Sequence, residues 1–331
     1  MSLSSALGLR YSADLRTLFY AGVLFPGVPL LQYAFPQLLG WLLPLGLYLG
    51  FCAGVLTHNQ NHTPTFKSKR LNVLYQAWLS VFYGYPTFGW IPSHNQNHHK
   101  FVNRPGDASI TWRYSKRHTW TVAWTYFFVS SFFQQKTLKE YIAKAKRENP
   151  ALYRSILLQY GFVTVGHSGM LALAIALHGV ALGALVYGVA FLLPALFSLW
   201  AMFFINYIQH VHCDPWSEYN HSRNFVGRLG NWLVFNNGLH AAHHRQAGLH
   251  WSRLWELHEQ LAPHIDPALK QQSIMGFCLR TYVLGLFSDR FRTHQVGRPA
   301  WEPPGSDSKG PLNLAIPSVE ATDAGINANM A

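Results

Sequence analysis

The histidines are the most informative residues of this chain, because they fall in short groups with repeated spacing. There are 18 His among 331 residues. The pentapeptide His-Asn-Gln-Asn-His occurs twice, beginning at His58 and at His94, and His99 directly follows the second copy. A third group, His-Ala-Ala-His-His, begins at His240. Spacings of three and four residues place side chains on one face of a helix, so each group can direct imidazoles to a common point.

Adjacent histidines indicate how many metal ions such groups would hold. Neighbouring residues on a helix diverge by about 100°, so one ion rarely binds both His98 and His99, or both His243 and His244. We therefore predict that each pair is shared between two ions and that the groups converge on a two-metal site. The candidate ligands are His58, His62, His94, His98, His99, His210, His240, His243 and His244.

The remaining histidines carry less information. His212 competes with His210 for the last ligand position. His167 lies inside an apolar segment, where a functional role and a bond to a neighbouring helix are equally consistent with its position. A lone histidine is more often a packed or exposed polar residue than a ligand, and we interpret six others in that way: His118, His178, His221, His258, His264 and His294.

The type of ligand narrows the identity of the metal. Neutral imidazole suits Fe, Zn, Cu or Ni and does not favour Mg or Ca. The three cysteines form no C-x-x-C pair, which argues against a thiolate zinc site or a disulfide framework. Many nitrogen donors without a thiolate suit iron that activates dioxygen against an apolar C–H bond. Asp107, Asp214 and the Asn and Gln residues of the repeated pentapeptide could hold the histidine rings by hydrogen bonds.

The composition predicts that these groups are carried by membrane helices. Hydrophobic residues make up 49% of the chain and charged residues only 12%, against roughly 25% charged in an ordinary soluble domain. No Lys or Arg occurs in residues 17–66 or in residues 155–222. Each stretch without Lys or Arg contains two apolar segments, which predicts four crossings at about residues 18–35, 38–56, 156–177 and 181–205.

The distribution of positive charge predicts the orientation in the membrane. All 26 Lys and Arg lie outside the two short links at Pro36 and Gly179, so every histidine group is expected on the cytoplasmic side. Membrane topology thus accounts for the net charge of +12, and we predict no nucleic-acid partner. The predicted fold is all-α and integral to the membrane, with four transmembrane helices and a cytoplasmic helical cap that carries the histidines.

The predicted organisation has one membrane domain and a tail. The domain covers residues 1–301, and residues 302–331, rich in Pro, Gly, Ser and Asn, are predicted to be disordered. Within the domain, Leu71–Pro92 has an interfacial or re-entrant composition. Trp120–Phe133 is predicted to be a membrane-surface helix, and Lys136–Arg154 a basic stretch beside anionic headgroups.

The boxes H-x-x-x-H, H-x-x-x-H-H and H-x-x-H-H, with N-x-x-x-H before the third, resemble those of the integral-membrane fatty acid desaturases. The match covers about His58 to Trp251. The resemblance implies a non-haem di-iron centre, with two Fe held by the nine histidines named above. It also implies that Asn206 holds a metal-bound water. The reaction would need O2 and two electrons from a separate donor, such as a ferredoxin or a small cytochrome with its reductase.

The details of the boxes refine this resemblance. Gln209–His212 and Gly248–Trp251 look like acyl-lipid members of the family. The first box has three intervening residues, unlike the four typical of the acyl-CoA Δ9 branch. The third box begins with His240, where front-end desaturases usually carry Gln. The chain has no C-terminal signal for retention in the endoplasmic reticulum, so a bacterial inner membrane is the better expectation.

We therefore predict an O2-dependent desaturase that introduces a double bond into a long, lipid-linked acyl chain. The main alternative is a hydroxylase or ketolase of the same superfamily, acting on fatty acids, alkanes or carotenoids, because the boxes do not separate these outcomes. A histidine-rich metal transporter would place its ligands near the middle of the crossings, where only His167 lies. A bis-histidine haem protein would need two or four axial ligands.

Overall fold

The computed structural model describes residues 2–305 and 312–320, and this part of the chain is mostly helical. Its α-helices are α1 (Leu3–Ala6), α2 (Asp14–Phe19), α3 (Phe25–Ala34), α4 (Leu39–His62), α5 (Lys69–Tyr83), α6 (His99–Phe101), α7 (Trp120–Glu148), α8 (Pro150–Tyr187), α9 (Leu193–His210), α10 (Arg228–Leu233), α11 (His240–Arg245), α12 (Leu254–Leu261) and α13 (Ile274–Cys278). Stretches of π-helix occupy Tyr20–Leu24, Ile91–His98, Gly188–Leu192 and Leu279–Val283.

Shorter elements complete the described chain. Two strands, β1 (Asn224–Phe225) and β2 (Lys270–Gln271), pair in parallel. Single turns of 3₁₀-helix lie at Pro36–Leu38, Thr87–Gly89, Trp251–Arg253, Ala262–His264, Pro267–Leu269, Leu284–Leu286 and Asp289–Phe291.

The chain divides into two compact units. Residues 2–91 and 142–202 form the first, which we call the apolar unit. Residues 92–141, 203–305 and 312–320 form the second, which we call the histidine-rich unit. Seven of the nine candidate ligands belong to the second unit, and His58 and His62 belong to the first.

Three helical stretches of the described chain are long and apolar enough to cross a membrane, namely Asp14–Ala34, Pro36–His62 and Pro150–His210. Lipid contact also explains side chains on the last stretch that would be costly in water. Val165 and Val180 are each 72% exposed, and Leu185 is 55% exposed. These features indicate a membrane protein, whereas the number of crossings stays a prediction.

The longest apolar stretch reverses its direction at Gly179. This residue has φ 75° and ψ 173°, a region of backbone conformation that is open essentially to glycine alone. A Cβ atom on Gly183 would lie 2.6 Å from the Ala174 carbonyl oxygen, so the two arms approach closely on either side of the turn. His167 Nδ1 also lies 3.0 Å from the Tyr187 hydroxyl. The stretch is therefore a helical hairpin whose turn is the link noted in the sequence.

The helix that carries the first histidine box extends beyond the predicted crossing at residues 38–56. α4 continues to His62, which is its last residue. Thr63 has extended backbone, because Pro64 follows and disfavours helical backbone in the residue before it. Polar side chains in this last part bond within the helix: the Thr57 hydroxyl donates to the Gly54 carbonyl at 2.7 Å, and Asn61 Nδ2 donates to the Thr57 carbonyl at 2.8 Å. Hydropathy alone misses these turns because they are polar.

α5 occupies most of the segment predicted to be interfacial. Ser68 caps its first turn, and Gly84 ends it with φ 81°, the left-handed conformation common after a helix. Trp78 Nε1 donates to the Ala21 carbonyl at 2.8 Å. The Phe88 amide that follows donates to Gln159 Oε1 at 2.9 Å. These bonds fix α5 and the following turn within the apolar unit, and their position at a membrane interface stays a prediction.

The two segments predicted between residues 120 and 154 join differently from the expectation. α7 runs without a break from Trp120 to Glu148, so the predicted surface helix and most of the basic stretch are one helix. α7 ends at Glu148, before the predicted end of the basic stretch at Arg154. Asn149 follows α7 and caps α8 by accepting from the Leu152 amide at 3.1 Å. Pro150 then occupies the first turn of α8, a position where proline is favoured.

Part of the tail that was predicted to be disordered makes contacts in the histidine-rich unit. Leu312 and Leu314 pack against a cluster that contains Ile110 and Trp112. Lys136 Nζ also donates to the carbonyl of residue 316 at 3.1 Å. Residues 306–311 and 321–331 lie outside the described residues, so the disorder of the tail stays a prediction.

Candidate metal centre

The second histidine box lies on a widened helical turn. His94 and His98 belong to the π-helix Ile91–His98, and His99 begins α6 directly after it. A π-helix has i→i+5 hydrogen bonds and therefore more residues per turn than an α-helix. The ring centroids of His94 lie 5.2 Å from those of His98 and 4.5 Å from those of His99. The local backbone thus gathers all three imidazoles.

Four histidines of the histidine-rich unit form what we call the four-histidine cluster: His98, His210, His240 and His244. Each supplies one ring nitrogen, and these nitrogens all lie within 4.8 Å of one another. The Nε2–Nε2 distances are 3.1 Å for His98–His210, 2.9 Å for His210–His240 and 3.1 Å for His240–His244. Nitrogens that bind one ion at about 2.1 Å are separated by roughly 3.0 to 3.4 Å. The spacing therefore fits a single metal ion.

The same unit holds what we call the three-histidine cluster: His94, His99 and His243. His99 Nε2 lies 3.0 Å from His94 Nε2 and 2.9 Å from His243 Nε2. His94 Nε2 and His243 Nε2 are 3.4 Å apart. The adjacent pair His98 and His99 is thus divided between the two clusters, as is the pair His243 and His244. This division is the arrangement that the sequence predicted from adjacency.

The hydrogen bonds of the four-histidine cluster fix which ring nitrogens can bind a cation. His98 Nδ1 lies 2.8 Å from Asp107 Oδ2, and His210 Nδ1 lies 3.1 Å from the His221 carbonyl oxygen. Both partners are acceptors, so each Nδ1 carries the hydrogen and each Nε2 presents a lone pair. The two lone pairs face each other and repel unless a cation lies between them. The donor set therefore fits a bound metal ion.

Asp107 is the predicted ring-holding carboxylate that does contact a histidine. The amides of Asn103 and Ser109 each donate to its carboxylate at 2.7 Å, and the Ser109 hydroxyl does so at the same distance. Burial raises the pKa of Asp107, but its interaction with His98 and the hydrogen bonds from His98 and Ser109 outweigh it and lower the pKa to about 2. The side chain is therefore an anion at neutral pH. Asp214 instead accepts from the amides of Trp216 and Arg298, at 3.0 and 2.9 Å.

His58 and His62 lie together in the apolar unit. They stand one turn apart at the end of α4, with ring centroids separated by 4.8 Å. Their side chains are buried, with 4% and 8% exposure. His58 Nδ1 lies 3.3 Å from Asn59 Oδ1, so one amide of the pentapeptide does contact a candidate ligand. Their role as ligands stays a prediction.

The end of α9 separates His210 from its competitor His212. α9 ends at His210, and His212 then takes φ 59°, a left-handed conformation that turns the chain. His212 Nδ1 lies 3.1 Å from the Thr293 carbonyl oxygen and 2.9 Å from its hydroxyl. The geometry therefore places His210, and not His212, in the four-histidine cluster. Asn206 stands one turn before His210, and its Nδ2 donates to the Tyr126 hydroxyl at 2.9 Å.

Two histidines that the sequence grouped with isolated residues lie in buried polar surroundings. His118 contacts the Tyr282 hydroxyl at 2.8 Å and the Thr293 hydroxyl at 2.5 Å. His221 supports His210 through its carbonyl, and its ring centroid lies 5.4 Å from that of His244. Burial lowers the pKa of His118 well below its ordinary value and that of His221 to about 4. Neither residue belongs to a box, so spacing gave no signal for it.

Comparison with known proteins adds one match. The family model described as fatty acid desaturase matches residues 34–272, which is more than half of the chain. The matched range contains all nine candidate ligands and Asn206. No curated protein matches the chain, and no solved structure matches it.

Proposed function

The chain belongs to the fatty acid desaturase family, and from that premise we propose that it introduces a double bond into a long, lipid-linked acyl chain. The observation that carries this proposal is the pair of imidazole clusters in the histidine-rich unit. Seven ring nitrogens meet there, and adjacent histidines are divided between the two clusters. Seven donors in two groups are more than one tetrahedral or octahedral ion can coordinate.

We propose that the clusters bind two non-haem irons. The four-histidine cluster would hold one iron. The three-histidine cluster would hold the second, to which the box pattern adds His58 and His62 as further ligands. Asn206 would hold a metal-bound water, and Tyr126 would orient the Asn206 amide through the 2.9 Å hydrogen bond between them.

When bound, the two irons would supply the oxidising power by which O2, two electrons and two protons, together with one hydrogen atom from each of two neighbouring CH2 groups, become two waters and leave a double bond. The protein would supply position. Asp107 keeps the hydrogen of His98 on Nδ1 and so leaves Nε2 free for the metal. The His221 carbonyl does the same for His210. Burial of these groups excludes water from the ligand nitrogens.

The substrate and partners follow from the membrane setting. An acyl chain would reach the site from the bilayer along the apolar helices that are long enough to cross it. The two electrons would come from a separate protein, either a ferredoxin or a small cytochrome with its reductase. We propose a bacterial inner membrane as the location.

We propose four crossings, with all histidine boxes on the cytoplasmic side. Single cysteines at Val180 and Glu302, in a background without the native cysteines, test this arrangement. Both side chains are exposed. A membrane-impermeant thiol reagent should label position 180 from the periplasmic side and position 302 from the cytoplasmic side. Labelling of both from the same side would overturn the topology.

Analysis of lipid products by mass spectrometry tests the function most directly. Cells that express the chain with a matched reductant should gain acyl chains that are two hydrogens lighter. The His98→Ala variant in the same host is the control and should give no such product. Oxygenated products without an alkene would establish the hydroxylase instead. Consumption of a carotenoid with no change in acyl lipids would refute the acyl substrate.

A further inference from the structure

Arg223 is a fully buried cation whose partners are backbone carbonyls. Its side chain is 1% exposed. Its guanidinium donates to the Ile208 carbonyl through Nη1 and to the Val211 carbonyl through Nη2, the latter at 3.1 Å. Its own amide donates to the Gln209 carbonyl at 2.6 Å. Among the described residues it pairs with no Asp or Glu.

Such a residue needs a physical reason, because a buried charge without a counter-ion is costly. The last carbonyls of a helix lack partners within the helix and carry the negative end of its dipole. α9 ends at His210, so Arg223 delivers a positive charge and several N–H groups to that end. It thereby fixes the last turn of α9.

His210 stands within the turn that Arg223 holds. The carbonyls that accept from Arg223 belong to the residues on either side of His210, and the His210 ring donates to the carbonyl of His221 at 3.1 Å. The short segment from His221 to Arg223 therefore holds both the backbone and the ring of His210. A shift of this turn would move His210 Nε2 away from the three other nitrogens of its cluster.

We propose that Arg223 is a positioning residue for the metal centre, acting through His210. This inference rests on the proposed metal centre. Removal of the guanidinium would keep His210 itself but would remove the hydrogen bonds that hold the last turn of α9 and so orient the His210 ring. The effect should therefore be confined to the ion bound by the four-histidine cluster and should spare the three-histidine cluster.

The chain offers a matched control in Arg280. Arg223 and Arg280 lie over the same phenyl ring of Phe277, with guanidinium carbons 4.8 and 5.8 Å from its centroid. Arg280 donates to Gln271 Oε1 at 3.1 Å and, within the part of the chain that the structure describes, to no carbonyl of α9. Arg280→Met therefore removes a comparable cation and its stacking without touching the turn that holds His210.

The test is titration of the purified, metal-free, full-length protein in detergent with Co²⁺, followed by visible absorption and thermal melting. Arg223→Met should weaken the binding of one of two Co²⁺ ions by roughly 10- to 100-fold and leave the other unchanged. Arg223→Lys keeps the charge but not the fork of donors, so it should recover part of that affinity. Arg280→Met should titrate like the wild type.

Each outcome decides the inference. Unchanged binding of both ions in Arg223→Met would overturn it, as would equal weakening of both ions. If Arg223→Met fails to fold, Arg223→Lys decides: weaker binding of one ion at an unchanged melting temperature supports the role, and wild-type binding refutes it. A wild type that binds no Co²⁺ would instead refute the proposed metal centre itself.

Discussion

In the apolar unit, His167 places Nδ1 3.0 Å from the Tyr187 hydroxyl and Nε2 3.0 Å from the Val81 carbonyl oxygen. In the histidine-rich unit, His98 and His210 each place Nδ1 on a protein acceptor and Nε2 against another imidazole. The first ring has both nitrogens satisfied by the protein, so it ties helices together. The other two rings direct their Nε2 atoms towards each other at a spacing that fits two ligands of one metal ion.

The largest effect is expected from the removal of one histidine from each cluster. His98→Ala and His243→Ala should each abolish activity while leaving the protein in the membrane, because the loss of a ligand removes the metal without touching lipid-facing segments. Measurement of product formation together with membrane fractionation checks this. His118→Ala is the matched control, because it removes a buried histidine outside the clusters. The control should keep its activity, and a comparable loss of product formation in it would contradict the distinction between clustered and isolated histidines.

The support of His98 by Asp107 gives the next largest expected effect. Asp107→Asn keeps the shape of the side chain but removes the charge and one acceptor oxygen that hold the His98 tautomer. Metal affinity should fall by roughly 10- to 100-fold, measured by competition with a chelator. Asp214→Asn removes a carboxylate that accepts from the amides of Trp216 and Arg298, so its metal affinity should equal that of the wild type. Equal affinity in both variants would show that Asp107 has no role in the site.

His212 should make the metal-free protein sensitive to acid. Burial first, and then the charge of Arg223, lower the pKa of His212 to about 4, below its ordinary value of about 6.5. The unfolded chain therefore takes up a proton that the folded chain refuses, and stability is lost as the pH falls from about 6.5 towards 4. Between pH 7 and pH 5 this loss should be about 2 kcal/mol.

Unfolding of the metal-free protein at several pH values measures this loss. His212→Asn is the informative variant, because asparagine tolerates the left-handed backbone at φ 59° and does not titrate in this range. The variant should lose about 2 kcal/mol less than the wild type between pH 7 and pH 5. An identical pH dependence in the two proteins would refute the neutral, buried state of His212.

The smallest expected effect is at His167. His167→Phe fills the space but cannot bond to Tyr187 or Val81, so the free energy of unfolding should fall by about 1 kcal/mol. Activity and metal content should stay near those of the wild type. Thermal melting in detergent measures the stability, and elemental analysis measures the metal content. Loss of metal in this variant would place His167 in the site and erase the contrast between the two regions.

Spacing predicted that the histidines of one box lie close together, because the spacing decides which side chains share a face of a helix. The division of the His98–His99 pair between clusters was predictable from the divergence of adjacent side chains. The choice between His210 and His212 was not, because it depends on the left-handed backbone of His212, two residues after the end of α9. Arg223 was also hidden, because its contacts with α9 join residues 12 and 15 positions apart in the sequence.

Hydropathy predicted the apolar segments but not where their helices end. α4 continues to His62 because its polar residues bond within the helix, and hydropathy treats such residues as a boundary. The joining of two predicted segments into α7 has a similar cause, since a change from aromatic to basic residues does not interrupt helical backbone. Such boundaries depend on capping groups and turns more than on composition.

Elemental analysis of the purified, active protein counts the metal ions that the two histidine clusters hold. The two clusters predict two irons per chain bound through nitrogen donors, and His98→Ala should reduce the iron content as it removes activity. One metal ion per chain in the active protein, or stoichiometric zinc with activity retained, would contradict the di-iron centre.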